Sequence, residues 1–145
     1  MGAREGGMGK INWGRVFLCG LLTGVVWGVL ATIAVTLVGG DFLAAVPAGQ
    51  PFPPTSAGLL AFFIITNLVL GISTMWLYAA IRPRYGPGAK TAAVAGFALW
   101  FIGSWADAVW AALGVVPPGV LVAPVAASLP AIIVAAVVGA WLYKE

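Results

Sequence analysis

Four long apolar segments that carry almost no charge constrain the fold of this chain more than any other feature. A run of 23 residues such as the first forms about 35 Å of helix, enough to cross a hydrocarbon core of about 30 Å. The sequence therefore predicts an all-α integral membrane four-helix bundle, which makes up a single transmembrane domain over residues 1–145. The predicted helices are residues 16–38, 57–81, 91–113 and 120–143.

Composition excludes most soluble and catalytic classes of protein. The chain is 62% hydrophobic and 8% charged, whereas soluble domains have about 25% charged residues. It has no histidine, and Cys19 is its one cysteine, so the usual general base and any cysteine metal cluster are missing. We therefore expect no enzyme, no catalytic residue, no metal site and no cofactor.

The positions of the basic residues predict the orientation in the membrane. All seven Lys and Arg fall before residue 16, in a loop at 82–90, or at residue 144. The positive-inside rule then places both termini in the cytoplasm, with a short tail at 1–12. The connections at 39–56 and 114–119 become an outer loop and an outer turn. Because topology explains the positive charge, we expect the bilayer and not nucleic acid as a partner.

Aromatic residues mark the predicted interfaces. The tripeptide Trp-Leu-Tyr closes the second segment at 76–78 and the fourth at 141–143, which is typical of a membrane anchoring belt. Trp27, Trp100 and Trp105 lie deeper. They are candidate contacts for an apolar ligand, and packing or lipid contact is the alternative.

Small residues recur at helical spacing on two segments and predict close helix packing. In lipid, close backbone approach contributes much of the free energy of helix association. The ridges suit packing within one chain or between copies of it, and the sequence leaves both open. They consist of Gly20, Gly24 and Gly28 on the first helix, and Ala127, Ala131, Ala135 and Gly139 on the fourth.

Polar residues inside the apolar segments are the only candidates for chemistry. Asp107 lies about 9 Å of helix from the outer end of the third segment, with no Lys or Arg on that side. An intramembrane acid without a counter-ion would be protonated or bind a cation, or would serve as a hydrogen-bonding contact between helices. By depth, a polar layer from all four helices is expected around it. Its members are Asp107, Ser104, Asn67, Thr66, Thr32 and Ser128.

Two segments resemble a known type of protein. Residues 71–92, which include Trp76-Leu77-Tyr78 and the basic turn, and residues 139–144 are similar to blocks in small uncharacterised bacterial four-helix inner-membrane proteins. The resemblance implies a bacterial inner (plasma) membrane location and brings no activity or site residues with it. Small multidrug-resistance transporters have an acid in their first helix, and its absence here argues against that family.

Three functional interpretations follow from these residues. The first is a non-catalytic structural or accessory subunit, or a homo-oligomeric scaffold, that associates with itself or with a larger membrane complex. The second is a small proton- or cation-coupled transporter or channel that uses Asp107. The third is a binder of an apolar ligand such as a quinone, lipid or pigment.

Overall fold

The computed structural model describes residues 11–38, 40 and 56–143. Within these ranges it contains four helices, and each is long and apolar enough to span a membrane. The prediction of an all-α chain with four candidate membrane spans is confirmed. The predicted tail at 1–12 and outer loop at 39–56 lie mostly outside the described residues. The helices are α1 (Trp13–Val38), α2 (Ala57–Tyr85), α3 (Ala89–Ala112) and α4 (Pro118–Leu142).

Polar side chains and a proline define where the helices begin. The Ser56 hydroxyl accepts a hydrogen bond from the backbone N–H of Leu59 at 3.1 Å, which satisfies one of the donors left free at a helix start. The Asn12 side chain accepts from the Arg15 N–H at 3.1 Å in the same way. Pro118 occupies the first position of α4, where its missing N–H costs nothing.

The end of α2 differs from the sequence prediction. We expected the second helix to stop at residue 81, before Pro83, but it runs on to Tyr85. A proline removes one ladder donor, while its fixed φ near −65° suits a helix. The helix ends at Gly86, whose φ of 82° is accessible to glycine at little cost. The Gly86 N–H donates to the Arg82 carbonyl at 2.8 Å.

Each helix packs against its neighbours in chain order, and the ring closes between α4 and α1. Helices α2 and α4 also touch across the centre, whereas α1 and α3 do not contact each other. Helices α1 and α2 run antiparallel, because Gly20 lies beside Ile72 and Gly24 beside Leu68. Helices α3 and α4 do the same, because Gly96 lies beside Ala136 and Trp100 is bonded to Ser128. We call the end with the turn between α2 and α3 the basic end, and the end with the turn between α3 and α4 the distal end.

The buried core lies in the half of the molecule next to the basic end. Its largest fully buried side chains are Tyr78, Met75 and Ile132. Thr23 and Thr74 are also fully buried, and both donate to a carbonyl four residues earlier in their own helix. These internal hydrogen bonds offset the cost of burying the two hydroxyls. The half of the molecule next to the basic end is therefore closely packed without leaving either of these threonine hydroxyls unpaired.

Candidate functional site

The distal half of the molecule is open. No described residue of 25–38, 57–70, 97–112 or 118–130 is buried. In these segments the helices are less closely packed, and space remains between α1 and α2 and between α3 and α4. Each space contains a polar side chain.

The first space is a cleft of about 280 Å³ between α3 and α4, which we call the Asp107 cleft. Asp107 is partly buried in it and lies five residues before the end of α3, or about 7.5 Å of helix. Its carboxyl group makes no hydrogen bond or ion pair with any described residue. The cleft is lined by Ser104, Asp107, Ala108, Ala111, Pro118, Leu121, Val122 and Val125.

The electrostatic surroundings of Asp107 contain no compensating charge. It is the one acidic residue in the described ranges, and the four described basic residues all lie towards the basic end. The Ser104 hydroxyl in the same cleft donates to the Trp100 carbonyl at 2.8 Å, so it is not directed to the carboxyl group. The remaining lining is apolar, and the cleft lacks an internal partner for its acid.

The second space is a larger cleft of about 450 Å³ between α1 and α2, which we call the Asn67 cleft. Asn67 and Thr32 supply its polar side chains, and most of the other lining residues are aliphatic or aromatic. The Asn67 amide makes no hydrogen bond within the described ranges. The cleft is lined by Gly24, Val25, Gly28, Val29, Thr32, Ile33, Leu60, Phe63, Ile64, Asn67 and Leu68.

The six residues of the expected polar layer are not brought into one site. Thr32 and Asn67 line one cleft, while Asp107 and Ser104 line the other. The hydroxyls of the layer donate to carbonyls of their own helices, as Thr32 does to Gly28 at 2.7 Å. Two more follow this pattern, Thr66 to Phe62 and Ser128 to Val125. Asn67 and Asp107 are the members whose side chains keep unused hydrogen-bonding capacity.

The three deep tryptophans occupy different environments. Trp100 donates from its indole nitrogen to the Val125 carbonyl at 2.9 Å and to the Ser128 hydroxyl at 3.1 Å. It therefore ties α3 to α4 one turn before Pro130, which removes a ladder donor from α4. Trp105 is 63% exposed, and the Trp27 indole nitrogen is buried without a hydrogen-bond partner. None of the three lines the Asn67 or the Asp107 cleft.

The glycine ridge of α1 lies against α2 of the same chain. A Cβ on Gly20 would meet the Ile72 Cα at 2.5 Å, and one on Gly24 would meet the Asn67 carbonyl oxygen at 2.6 Å. Gly28 faces the Asn67 side chain, with its amide nitrogen 3.3 Å from a Cβ placed there. This ridge is occupied by intramolecular packing.

The small-residue stripe of α4 faces the core in its second half. Ala131 and Ala135 are buried, and a Cβ on Gly139 would collide with the Thr23 hydroxyl and meet the Met75 sulfur at 2.8 Å. Ala127 is only partly buried. At Gly139, the stripe therefore packs against the chain's own α1 and α2 near the basic end.

A tyrosine cluster at the basic end is not among the features predicted from the sequence. Tyr78 and Tyr143 pack edge to face with ring centroids 5.7 Å apart, and the Arg82 guanidinium lies 5.5 Å from the centroid of the Tyr143 ring. The Tyr78 hydroxyl accepts a hydrogen bond from the Gly88 N–H at 3.2 Å. The repeated Trp-Leu-Tyr was the available signal, but we assigned all its rings to the membrane interface.

Comparison with known proteins adds no family or fold assignment. No protein-family model, no curated protein and no solved structure matches this chain.

Proposed function

We propose that this protein is a non-catalytic accessory subunit that binds a transmembrane helix of a partner membrane protein in the Asp107 cleft. The observation that carries the proposal is an acid without a partner in a cleft that opens between two helices. Inserting a helix with a carboxyl group within the bilayer costs up to about 2.5–3.5 kcal/mol of free energy on insertion scales, and less when the group lies near the interface. A complementary group on a partner would offset that cost.

The chemistry of the cleft specifies the partner. Its lining is apolar apart from Asp107 and Ser104, so it suits a membrane helix rather than a water-soluble segment. No described basic residue of this chain lies in the distal half. Lys or Arg within a membrane helix pairs with an acid from a neighbour. The proposed partner helix therefore carries a Lys or Arg at the depth of Asp107.

The proposal includes a membrane arrangement. The four helices form a bundle that crosses a bacterial inner membrane with both termini in the cytoplasm. The described basic residues Arg15, Arg82, Arg84 and Lys90 support this arrangement, because all four lie at the basic end. The distal end, with the Asp107 cleft, then faces the outer side of the membrane.

A transport role has weaker support from the geometry. A coupled transporter builds its ion and substrate site from several helices near the middle of the membrane. Here the polar residues divide between two clefts, and most of the hydroxyls are bonded to their own helices. For this reason we place Asp107 in a helix–helix contact.

The test is co-purification from native membranes in a mild detergent, followed by variants in both proteins. We expect the wild type to bring down a partner, and Asp107→Asn to lose it while keeping its helicity and monomeric elution volume. Removing one member of a desolvated charge pair costs about 3–5 kcal/mol, so the loss should exceed tenfold. Substitution of the partner's Lys or Arg by Ala should have the same effect.

A matched control and a flux assay complete the experiment. Ser104→Ala changes the other polar residue of the cleft, whose hydroxyl is bonded to its own helix, and it should retain the partner. Retention of the partner by Asp107→Asn would contradict the proposal. Proton flux into vesicles that contain the wild-type protein alone, lost in Asp107→Asn, would replace it with the transporter interpretation.

A further inference from the structure

The Asn67 cleft has the features of a small-molecule site. Its volume of about 450 Å³ falls within the range of about 300–1,000 Å³ that is typical of ligand pockets. Such pockets are mostly apolar and contain a few polar groups that orient the ligand. Here the one amide is Asn67, and the walls come from the aliphatic and aromatic side chains of α1 and α2.

The amide of Asn67 is both accessible and unused. It makes no hydrogen bond within the described ranges, and it is not among the buried polar atoms without a partner. An amide offers two N–H donors and a carbonyl acceptor. In hydrocarbon there is no water to satisfy them, and each unsatisfied group costs free energy. A ligand with a carbonyl or hydroxyl group would satisfy them.

The absence of a side chain at Gly28 lets the Asn67 amide lie directly against α1. A Cβ at Gly28 would lie 3.3 Å from the Asn67 amide nitrogen, and the neighbouring Gly24 packs directly on the α2 backbone. Gly28 and Asn67 both line the cleft, so the amide lies at its wall, and it is the only amide among the described lining residues. A larger residue at Gly28 would displace the Asn67 side chain from this position.

The depth of Asn67 selects the class of ligand. Helix α2 has 29 residues, or about 43 Å, so a centred hydrocarbon core of about 30 Å places Asn67 about 8 Å inside its distal boundary. Ester groups of phospholipids lie at the interface, outside that boundary. A ligand bonded to Asn67 must carry its polar oxygen within the hydrocarbon.

We propose that the Asn67 cleft binds a membrane-soluble quinone, with the Asn67 amide donating a hydrogen bond to a ring carbonyl. The ring lies beside Asn67, and the apolar tail follows the groove between α1 and α2. This proposal is independent of the one for the Asp107 cleft, because the two clefts lie between different pairs of helices and share no lining residue.

The first test uses the wild-type chain, reconstituted in nanodiscs of synthetic phospholipid, and two probes with the same tail. One is decyl benzoquinone and the other is the decyl arene without ring carbonyls. A hydrogen bond contributes about 0.5–1.5 kcal/mol, so we expect the quinone to bind about two- to twelvefold more tightly. Equal affinity of the two probes would overturn the proposal and would indicate non-specific occupation by apolar chains.

Variants then localise the site. Asn67→Leu should remove the preference for the quinone, whereas Thr66→Val should not, because the Thr66 hydroxyl is bonded to Phe62 and lies outside the cleft. Gly28→Leu should block both probes, and Gly103→Leu, at a glycine with nothing within 4 Å, should bind both as the wild type does. A quinone preference that survives in Asn67→Leu would refute the assignment.

Discussion

The contact of Gly71 with the α1 ridge gives the sharpest prediction about stability. We consider Gly71→Ala, with Gly103→Ala as the matched control. A Cβ on Gly71 would lie 2.5 Å from the Gly24 Cα and would also collide with the Gly24 nitrogen and the Gly20 carbonyl oxygen. All three are backbone atoms of α1, so no side-chain rotation relieves the clash. Gly103 has open space around it.

The size of the effect follows from these distances. Carbon atoms pack at about 3.5–4.0 Å, so α1 and α2 must separate by about 1 Å or more, which forfeits about a quarter to a half of the dispersion energy of nearby contacts. Overpacking of this kind costs about 1–3 kcal/mol, and the rigid backbone favours the upper end. The gain of about 0.8–1.0 kcal/mol from replacing a helical glycine by alanine is common to both variants and cancels.

Unfolding in mixed micelles, followed by helicity and tryptophan fluorescence, measures this difference. We expect Gly71→Ala to be less stable than Gly103→Ala by about 1–3 kcal/mol. Equal stabilities would refute the close approach of α1 and α2. If Gly103→Ala lost as much free energy of unfolding as Gly71→Ala, the effect would come from replacing a helical glycine in general and not from the contact between α1 and α2.

Two further predictions concern the membrane orientation and the basic end. In a Cys19→Ala background, a cysteine that replaces Tyr85 should react with an impermeant maleimide only from the cytoplasmic side, and one that replaces Val115 only from outside. Both positions are exposed, at 63% and 52%. Reaction of both cysteines from the same side would contradict the topology. Tyr78→Phe should lower the free energy of unfolding by about 0.5–1.5 kcal/mol, because it removes the acceptor for the Gly88 N–H. The control variant Tyr85→Phe changes an exposed ring and should not lower it. Equal effects of the two variants on the melting temperature would show that the hydrogen bond does not stabilise the turn.

The helices were predictable because their signal is local. Length and hydropathy locate all four, and Lys and Arg residues mark the helix ends at the basic end. The extension of α2 through Pro83 was missed, since sequence alone does not show that Gly86 and Thr91 complete the turn. The Thr91 hydroxyl donates to the Gly86 carbonyl at 2.6 Å, a contact that depends on the position of α3.

The candidate sites were only partly predictable. Hydropathy identifies Asp107 and Asn67 as unusual residues, and helical rise gives the depth of each. It does not give the rotation of each helix about its axis, which decides whether two residues at one depth share a cleft. Thr32 and Asp107 lie at similar depths, yet they line different clefts.

The two hairpins share several features around the tyrosine cluster. The residue seven positions before the tyrosine of each Trp-Leu-Tyr is small, and each contacts a glycine of the preceding helix. Gly71 lies against Gly24, and Ala136 lies 3.2 Å from a Cβ on Gly96. Both tyrosines are buried, while both tryptophans of the motif are exposed. The two glycines differ in register, because the alignment of Arg15 with Lys90 sets Gly24 against Leu99 and not Gly96. The hairpins therefore share the small residue and the buried tyrosine of their second helices, and not a common pattern of contacts.

An alignment of the two hairpins relates one wall of the two clefts. When the first helices of the two hairpins are aligned on Arg15 and Lys90, Thr32 is equivalent to Asp107. When the second helices are aligned on their Trp-Leu-Tyr motifs, Asn67 is equivalent to Ile132. Thr32 lines the Asn67 cleft and Asp107 lines its own, so one position in the repeat faces the cleft in both hairpins. The equivalence stops at this wall, because Ile132 is fully buried and lines neither cleft. The two clefts differ because one has an acid from its first helix and the other an amide from its second, which is the chemical basis for assigning them different ligands.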